Sequence, residues 1–411
     1  MELQNHWGPF SRVRQTTAGY PRQFWLLFWG MLINAAGSSM VWPFMTIYMR
    51  RRLDIPLTTV ALLLTLNSVT GLAATFVAGP AVDRFGRKGA MVLSLAAGSI
   101  TLIAMSIFDT LQPWVILMLF NGAFGPLYRV GVDSMVADLI EPERRAGAYA
   151  LLRMIANLGI AIGPSVGGFV TAVSYALAFY IAASAGAAFA LLILFFVAET
   201  LLQRQDALDQ PRRESGYGHV LRDRPFLAFC GVYTLATMAY SLMMVLLPVY
   251  AKENFGVPEN QYGFVMATNA AMVVLFQYTI TRATEQYHHL PVLAVGSLFY
   301  ALGVGSVALG WNFPTFLVSM IVLTIGEMIM IPTSTALTAN LAPPDMRGRY
   351  MSVYGLTWGI GFGIGPVAGG FLNDNLAPVM IWYGGLTMGL AASLGFALLR
   401  RGLRASLPSK N

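Results

Sequence analysis

The chain has 411 residues, of which 56% are hydrophobic and 11% charged, and a formal net charge of +7. A soluble globular chain carries roughly a quarter charged residues, so most of this one must face lipid or other apolar helices. Its basic residues are scattered through short polar segments and form no stripe, which excludes nucleic acid as a partner. Cys230 is the only cysteine, which rules out an intrachain disulfide and a cysteine metal cluster. His6, His219, His288 and His289 all fall in predicted tails or loops, so no metal ligands are expected inside the apolar segments and no metal site is assigned.

Residues 1–22 form a polar, basic tail containing Arg12, Arg14 and Arg22. The apolar run that follows is too long for a signal-peptide core and lacks a small-residue cleavage site, so it reads as a retained first helix. A spanning helix needs about 20 mainly apolar residues. Twelve such segments are predicted, at about 23–48, 58–80, 90–107, 113–137, 146–172 and 175–198, then 225–251, 261–281, 290–310, 314–340, 349–375 and 378–399. The fold class is therefore all-α integral membrane. A six-helix bundle over 23–198 and another over 225–399 are joined by a polar linker at 199–224 and followed by a tail at 400–411. The linker carries Arg204, Asp206, Asp209, Pro211, Arg212, Arg213, Glu214, Arg222, Asp223 and Arg224.

The two halves repeat at an offset of 202 residues. Pro142, Arg145, Gly159, Gly163, Pro164, Gly167, Gly168 and Phe169 align with Pro344, Arg347, Gly361, Gly365, Pro366, Gly369, Gly370 and Phe371. Tyr48, Pro56 and Asn67 align with Tyr250, Pro258 and Asn269. With the N-terminus inside, predicted cytoplasmic segments hold 20 of the 26 Lys and Arg residues, which orients both termini to the cytoplasm. Arg50, Arg51, Arg52 and Lys252 are the outward exceptions, and the arginine triplet reads first as a solvated helix end.

Between the second and third spans lies Gly79-Pro80-Ala81-Val82-Asp83-Arg84-Phe85-Gly86-Arg87-Lys88. The glycines permit a sharp turn. Asp83 sits where a carboxylate meets a helix N-terminus or an arginine. Arg84, Arg87 and Lys88 hold the segment on the positive side of the membrane. The pattern G-x-x-x-D-R-x-G-R-K resembles the signature loop of the major facilitator superfamily. That resemblance covers roughly residues 23–399 and implies two pseudo-symmetric six-helix halves with a substrate site near the midplane, exposed alternately to each side.

The fifth span carries Gly159-x-x-x-Gly163-Pro164-x-x-Gly167-Gly168, and the eleventh repeats it as Gly361-x-x-x-Gly365-Pro366-x-x-Gly369-Gly370. Glycines four apart share a helical face and admit a neighbouring backbone, and Pro164 removes a backbone hydrogen bond. The fifth-span pattern is similar to the motif of the superfamily's drug:proton antiporters, which implies export; its second copy also fits generic close packing.

Charges inside the bilayer cost about 2.5–3.5 kcal/mol on insertion scales and are functional candidates by default. Glu327 lies near the middle of the tenth span, and its repeat position is Gly125, so it breaks the internal symmetry. A carboxyl there suits the exchange of a proton for a cationic substrate. Gly326-Glu327 followed by Pro332 resembles one group of multidrug exporters, in which the glutamate is implicated in proton coupling and cation binding. Arg129 and Asp133 are four apart on the fourth span, and Arg153 lies at similar depth on the fifth; Asp133 is expected to pair with one or both arginines, with proton relay as its other candidate role. The chain departs from many antiporters of the superfamily in having Met118, where they carry arginine, four residues before Gly122. Asp138, Glu141, Glu143, Arg144 and Arg145, with Asp83, Arg84 and Arg87, are candidates for a cytoplasmic charge latch. Asn34, Asn67, Tyr128, Asn157, Tyr240, Asn269, Gln277, Tyr354 and Trp358 are candidates to line a cavity, helped by 22 adaptable methionines.

The function expected from these residues and the resemblance is proton-coupled efflux of small amphipathic or cationic compounds. The alternative is a carrier for a single metabolite, such as a sugar, nucleoside or lipid-linked compound. A membrane enzyme or sensor is the least favoured reading. No cofactor is expected beyond the proton gradient. The expected partners are a small-molecule substrate, protons and the lipid bilayer, with the chain a monomer in a bacterial cell membrane.

Overall fold

The computed structural model describes residues 19–201, 218–343 and 346–403. Most of the linker, with Arg204 to Glu214, and most of both tails therefore lie outside the described residues, as does Pro344. The described chain is helical, with no strand, and has twelve helices long and apolar enough to cross a membrane. In chain order these are α1 (Arg22–Leu53), α2 (Leu57–Phe85), α3 (Arg87–Ile107), α4 (Leu111–Leu139), α5 (Pro142–Val173) and α6 (Tyr175–Phe196), then α7 (Arg224–Phe255), α8 (Glu259–Thr284), α9 (His289–Ser306), α10 (Phe313–Leu341), α11 (Arg347–Asn375) and α12 (Met380–Leu403). A 3-10 turn at Trp42–Phe44 interrupts α1, where Pro43 removes a backbone donor.

Local chemistry sets several boundaries. The Ser174 hydroxyl accepts from Leu177 N at the start of α6, and the Asp223 carboxylate accepts from Phe226 N at the start of α7. Asn312 and Thr315 close a reciprocal capping box on α10. Gly86 turns the chain between α2 and α3 at φ 90, a conformation that glycine adopts without a Cβ penalty. The signature segment is thus mostly helix. α2 runs through Pro80 to Phe85, and the loop expected there shrinks to one residue.

Within the first half, α1 packs on α5 and α6, α2 on α4, and α3 on α4 and α6. In the second half, the repeat-related contacts are α7 on α11 and α12, α8 on α10, and α9 on α10 and α12. The repeat extends to single hydrogen bonds. Ser39 Oγ donates to Gly159 O at 3.2 Å, and its equivalent Ser241 Oγ donates to Gly361 O at 3.0 Å. These bonds sit inside the glycine motifs, where α5 and α11 press onto α1 and α7.

At Gly163 an added Cβ would lie 2.6 Å from Ala36 O and 3.0 Å from Met40 N, both backbone atoms that cannot swing aside. Gly163→Ala is therefore expected to destabilise the protein by about 1–3 kcal/mol through overpacking. Gly231→Ala, where a Cβ meets nothing within 4 Å, should lose nothing. Thermal unfolding of the two variants in detergent checks the contrast, and equal midpoints would remove the packing role assigned to the motif.

The halves touch chiefly along two helix pairs, α2 with α11 and α5 with α8, with a smaller contact between the end of α1 and α7. We call the side on which α1 begins and α12 ends the terminal face, and the other side the distal face. Six side-chain contacts join the halves in the distal part: Thr65 with Gly363, Thr58 with Asp374, Tyr175 with Glu259, Arg50 with Glu253, Phe44 with Tyr262 and Phe169 with Phe264. Toward the terminal face α4 and α5 carry the exposed charges Arg129, Asp133 and Arg153. The molecule is latched at the distal face.

Candidate functional site

Glu327 lies on α10, half-buried, facing the second half's own helices. Asn269 Nδ2 on α8 donates to Glu327 Oε2 at 2.7 Å and is 3.0 Å from Thr324 Oγ1. The Tyr240 hydroxyl on α7 faces the carboxyl. Around this group stand aromatic rings from α7, α9 and α11. Tyr240 lies 5.3 Å from Tyr300 and 5.8 Å from Trp358, centroid to centroid, and Tyr233 lies 5.2 Å from Tyr354. The Tyr354 hydroxyl bonds Ser334 Oγ at 2.8 Å and donates to Tyr233 at 3.2 Å. Tyr240, Asn269, Tyr354 and Trp358 thus converge on one aromatic-walled carboxyl. A carboxylate set among ring faces can attract a cation by charge and by the rings' π surfaces.

Asn34, Asn67 and Tyr128 gather elsewhere, around a cavity of about 290 Å³ inside the first half. Asn121, which the sequence reading did not single out, donates to Asn67 Oδ1 at 2.9 Å. Asn157 is exposed on α5 and joins neither group. Gln277 reaches across from α8 to Met328 O on α10 at 2.9 Å and so ties two helices together.

The expected pairing of Asp133 does not form. Among the described residues no ion pair joins it to Arg129 or Arg153, and all three side chains are exposed. Helical spacing brings Arg129 and Asp133 near each other. Exposed charges are already hydrated, however, and gain little by closing the last few ångströms.

The signature segment builds a buried charge cluster. Arg87 is 2% exposed and lies 3.0 Å from Asp138, itself 4% exposed, and 3.1 Å from Asp83, which is 66% exposed. Glu199, just after α6, accepts from Arg87 N and Lys88 N at 3.0 Å each and so caps α3. Thr200 Oγ1 donates to Asp138 at 2.9 Å. Of the two partners foreseen for Asp83, it meets the arginine, Arg87, while the N-terminus of α3 is served by Glu199, whose sequence signal was only a lone carboxylate ending an apolar run. Arg84 lies over the Phe85 ring, Arg144 over the Tyr20 ring, and Arg145 donates to Ile140 O. These contacts of Arg84, Arg87, Arg144 and Arg145 join residues of the first half, around the ends of α2 and α4. α4 and α5 extend toward each other and leave only a short turn between them. Glu141 is the N-cap position of α5, and the Glu143 side chain lies outside the described residues.

The bridge between halves is at the distal face, where Arg50 does more than end a helix. It lies 3.1 Å from Glu253 and 3.9 Å from Asp374. Asp374, on α11, accepts from Leu57 N, Thr58 N and Thr58 Oγ1 and so caps α2 of the opposite half. Lys252 is the repeat equivalent of Arg50 and lies 2.7 Å from Glu259, whose other oxygen accepts from Tyr175 of the first half. Replacing Glu253 and Asp374 together with alanine is expected to release about 1–2 kcal/mol of this latch, a shift of roughly tenfold toward the distal-open state. Nitroxide pairs at Leu53 and Leu376 in a Cys230→Ser background read the change as a longer distance population, and an unchanged distribution would count against the latch.

A family model described as Major Facilitator Superfamily matches residues 27–250 and 229–410. The chain is similar to the MFS-type transporter YttB of Bacillus subtilis (strain 168), at 27% identity over 360 residues, 86% of this chain and 89% of that one. It is 27% identical over 367 residues to the multidrug resistance protein MdtH of Shigella boydii serotype 4 (strain Sb227), covering 89% of each. It is 25% identical over 380 residues to a Na(+), Li(+), K(+)/H(+) antiporter of Planococcus maritimus, covering 84% of this chain and 86% of that one. Among solved structures, the nucleoside transporter NupG shares the fold with a TM-score of 0.74 at 14% identity, over 95% of this chain and all of that one. The signature segment, the twelve helices in two repeated halves and these matches make one case: the chain belongs to the Major Facilitator Superfamily.

Proposed function

We propose that this transporter is a proton-coupled exporter of small amphipathic, cationic compounds, working by alternating access from a cell membrane with both termini inside. The carrying observation is Glu327, a half-buried carboxyl on α10 that is held by Asn269 among aromatic rings and has no counterpart at Gly125. One carboxyl cannot hold a proton and a cation at once, so the two compete for it. Opened to the acidic side, Glu327 takes a proton and releases the cation; opened to the other side, it loses the proton and binds a new cation. The relative named for multidrug resistance supports this reading. The relative named for monovalent cation and proton exchange favours a second one, in which the cation is inorganic.

The test is transport in proteoliposomes with an acidic lumen, reading ethidium accumulation and, in parallel, a sodium indicator. Ethidium uptake that collapses with an ionophore supports the drug reading, and sodium uptake alone supports the second. Absence of both overturns proton-coupled cation export and leaves a single-metabolite carrier.

A further inference from the structure

The two halves differ most at equivalent points. In the second half, Tyr240, Tyr300 and Glu327 fill the space between α7, α9 and α10. Their repeat positions in the first half are Ser38, Gly98 and Gly125. The space is therefore hollow there, and the cavity of about 290 Å³ lies between α1, α2, α3, α4 and α6. A Cβ added at Gly98 or Gly125 would meet nothing within 4 Å. Ser38, Trp42 and Gly125 are exposed and mark the mouth of the cavity.

The walls say what would fit. No charged side chain lines the cavity among the described residues. Met45, Met105 and Met118 offer polarizable, adaptable surface suited to an aromatic ring. Tyr128 adds an aromatic wall, with its hydroxyl buried away from the space. The Asn67–Asn121 hydrogen bond uses one donor and one acceptor, and each amide keeps a further group for a ligand. The volume lies at the small end of ligand pockets, enough for about two fused rings.

We propose that this first-half cavity is a binding site for an uncharged, compact aromatic molecule bearing a hydroxyl or carboxamide, separate from the carboxyl site around Glu327. The proposal stands on the cavity walls and does not require proton coupling, so it is tested without a gradient. The probe is radiolabelled 1-naphthol, dialysed at neutral pH against the full chain in lipid nanodiscs, with empty nanodiscs as the blank. Saturable binding is expected. Gly98→Tyr, which installs the second half's residue, should weaken it at least tenfold. Asn121→Leu, which keeps the volume and removes the amide, should weaken it roughly fivefold. The permanently charged 1-naphthyltrimethylammonium ion should not compete. If Gly98→Tyr does not fold, Gly125→Leu fills the same space from α4. Absence of saturable binding above the blank, full affinity in the cavity-filling variant, or competition by the cation overturns the proposal.

Discussion

Glu327→Gln is expected to bring gradient-driven dye accumulation down to the level of empty liposomes while leaving the fold intact. Glutamine keeps the volume of the side chain and an oxygen to accept from Asn269 Nδ2, so the contact between α8 and α10 survives. What is lost is the exchangeable proton and the negative charge. A hydrogen bond to a charged partner is worth about 1.5–3 kcal/mol, so cationic dye should bind roughly 10- to 100-fold more weakly. Thermal unfolding should move by less than about 1 kcal/mol. Dye binding in detergent and uptake in liposomes separate the two losses. Uptake that persists in this variant would relocate the proton site, with Asp133 the next carboxyl to replace.

Arg87→Ala should produce the largest stability loss, about 3–5 kcal/mol, because it removes one member of a buried charge group. Asp138 and Asp83 both face this guanidinium, and Asp138 sits at only 4% exposure. Arg87→Lys should recover part of the loss, since an ammonium cannot serve two carboxylates with a planar fork. Asp83→Asn should cost less than about 1 kcal/mol, because its carboxylate is 66% exposed. Unfolding midpoints of the three variants in one detergent rank the contributions. A midpoint unchanged in Arg87→Ala would show that the cluster does not hold α2, α3 and α4 together.

Much of the architecture was written in local pattern. Apolar runs of spanning length place the twelve helices, and the 202-residue repeat foretells paired bonds such as those of Ser39 and Ser241. Glu327 was legible because a carboxyl in an apolar run stands out, and its aromatic partners follow from helices that the repeat brings together. Three features were not legible. The partners of Arg50 lie 203 and 324 residues away, beyond any periodicity. Glu199 acts on a helix whose start is 112 residues earlier. The cavity of the first half is a hollow made by small residues, and its presence depends on which neighbours fail to fill it. The pairing of Asp133 was misjudged because spacing reports proximity but not hydration.

The close approaches of α2 with α11 and of α5 with α8 have a mechanical consequence. Thr58 meets Gly370 at one crossing and Asn260 meets Gly168 at the other, and these are equivalent positions of the repeat. Two points of contact define an axle. A rotation of one half against the other about that line would open one face as it closed the other. The Arg50 contacts lie close to that line, since Asp374 also accepts from Thr58 N, the residue that meets Gly370. In this picture the two glycines are the bearing, because only a residue without a Cβ lets the crossing backbones meet there.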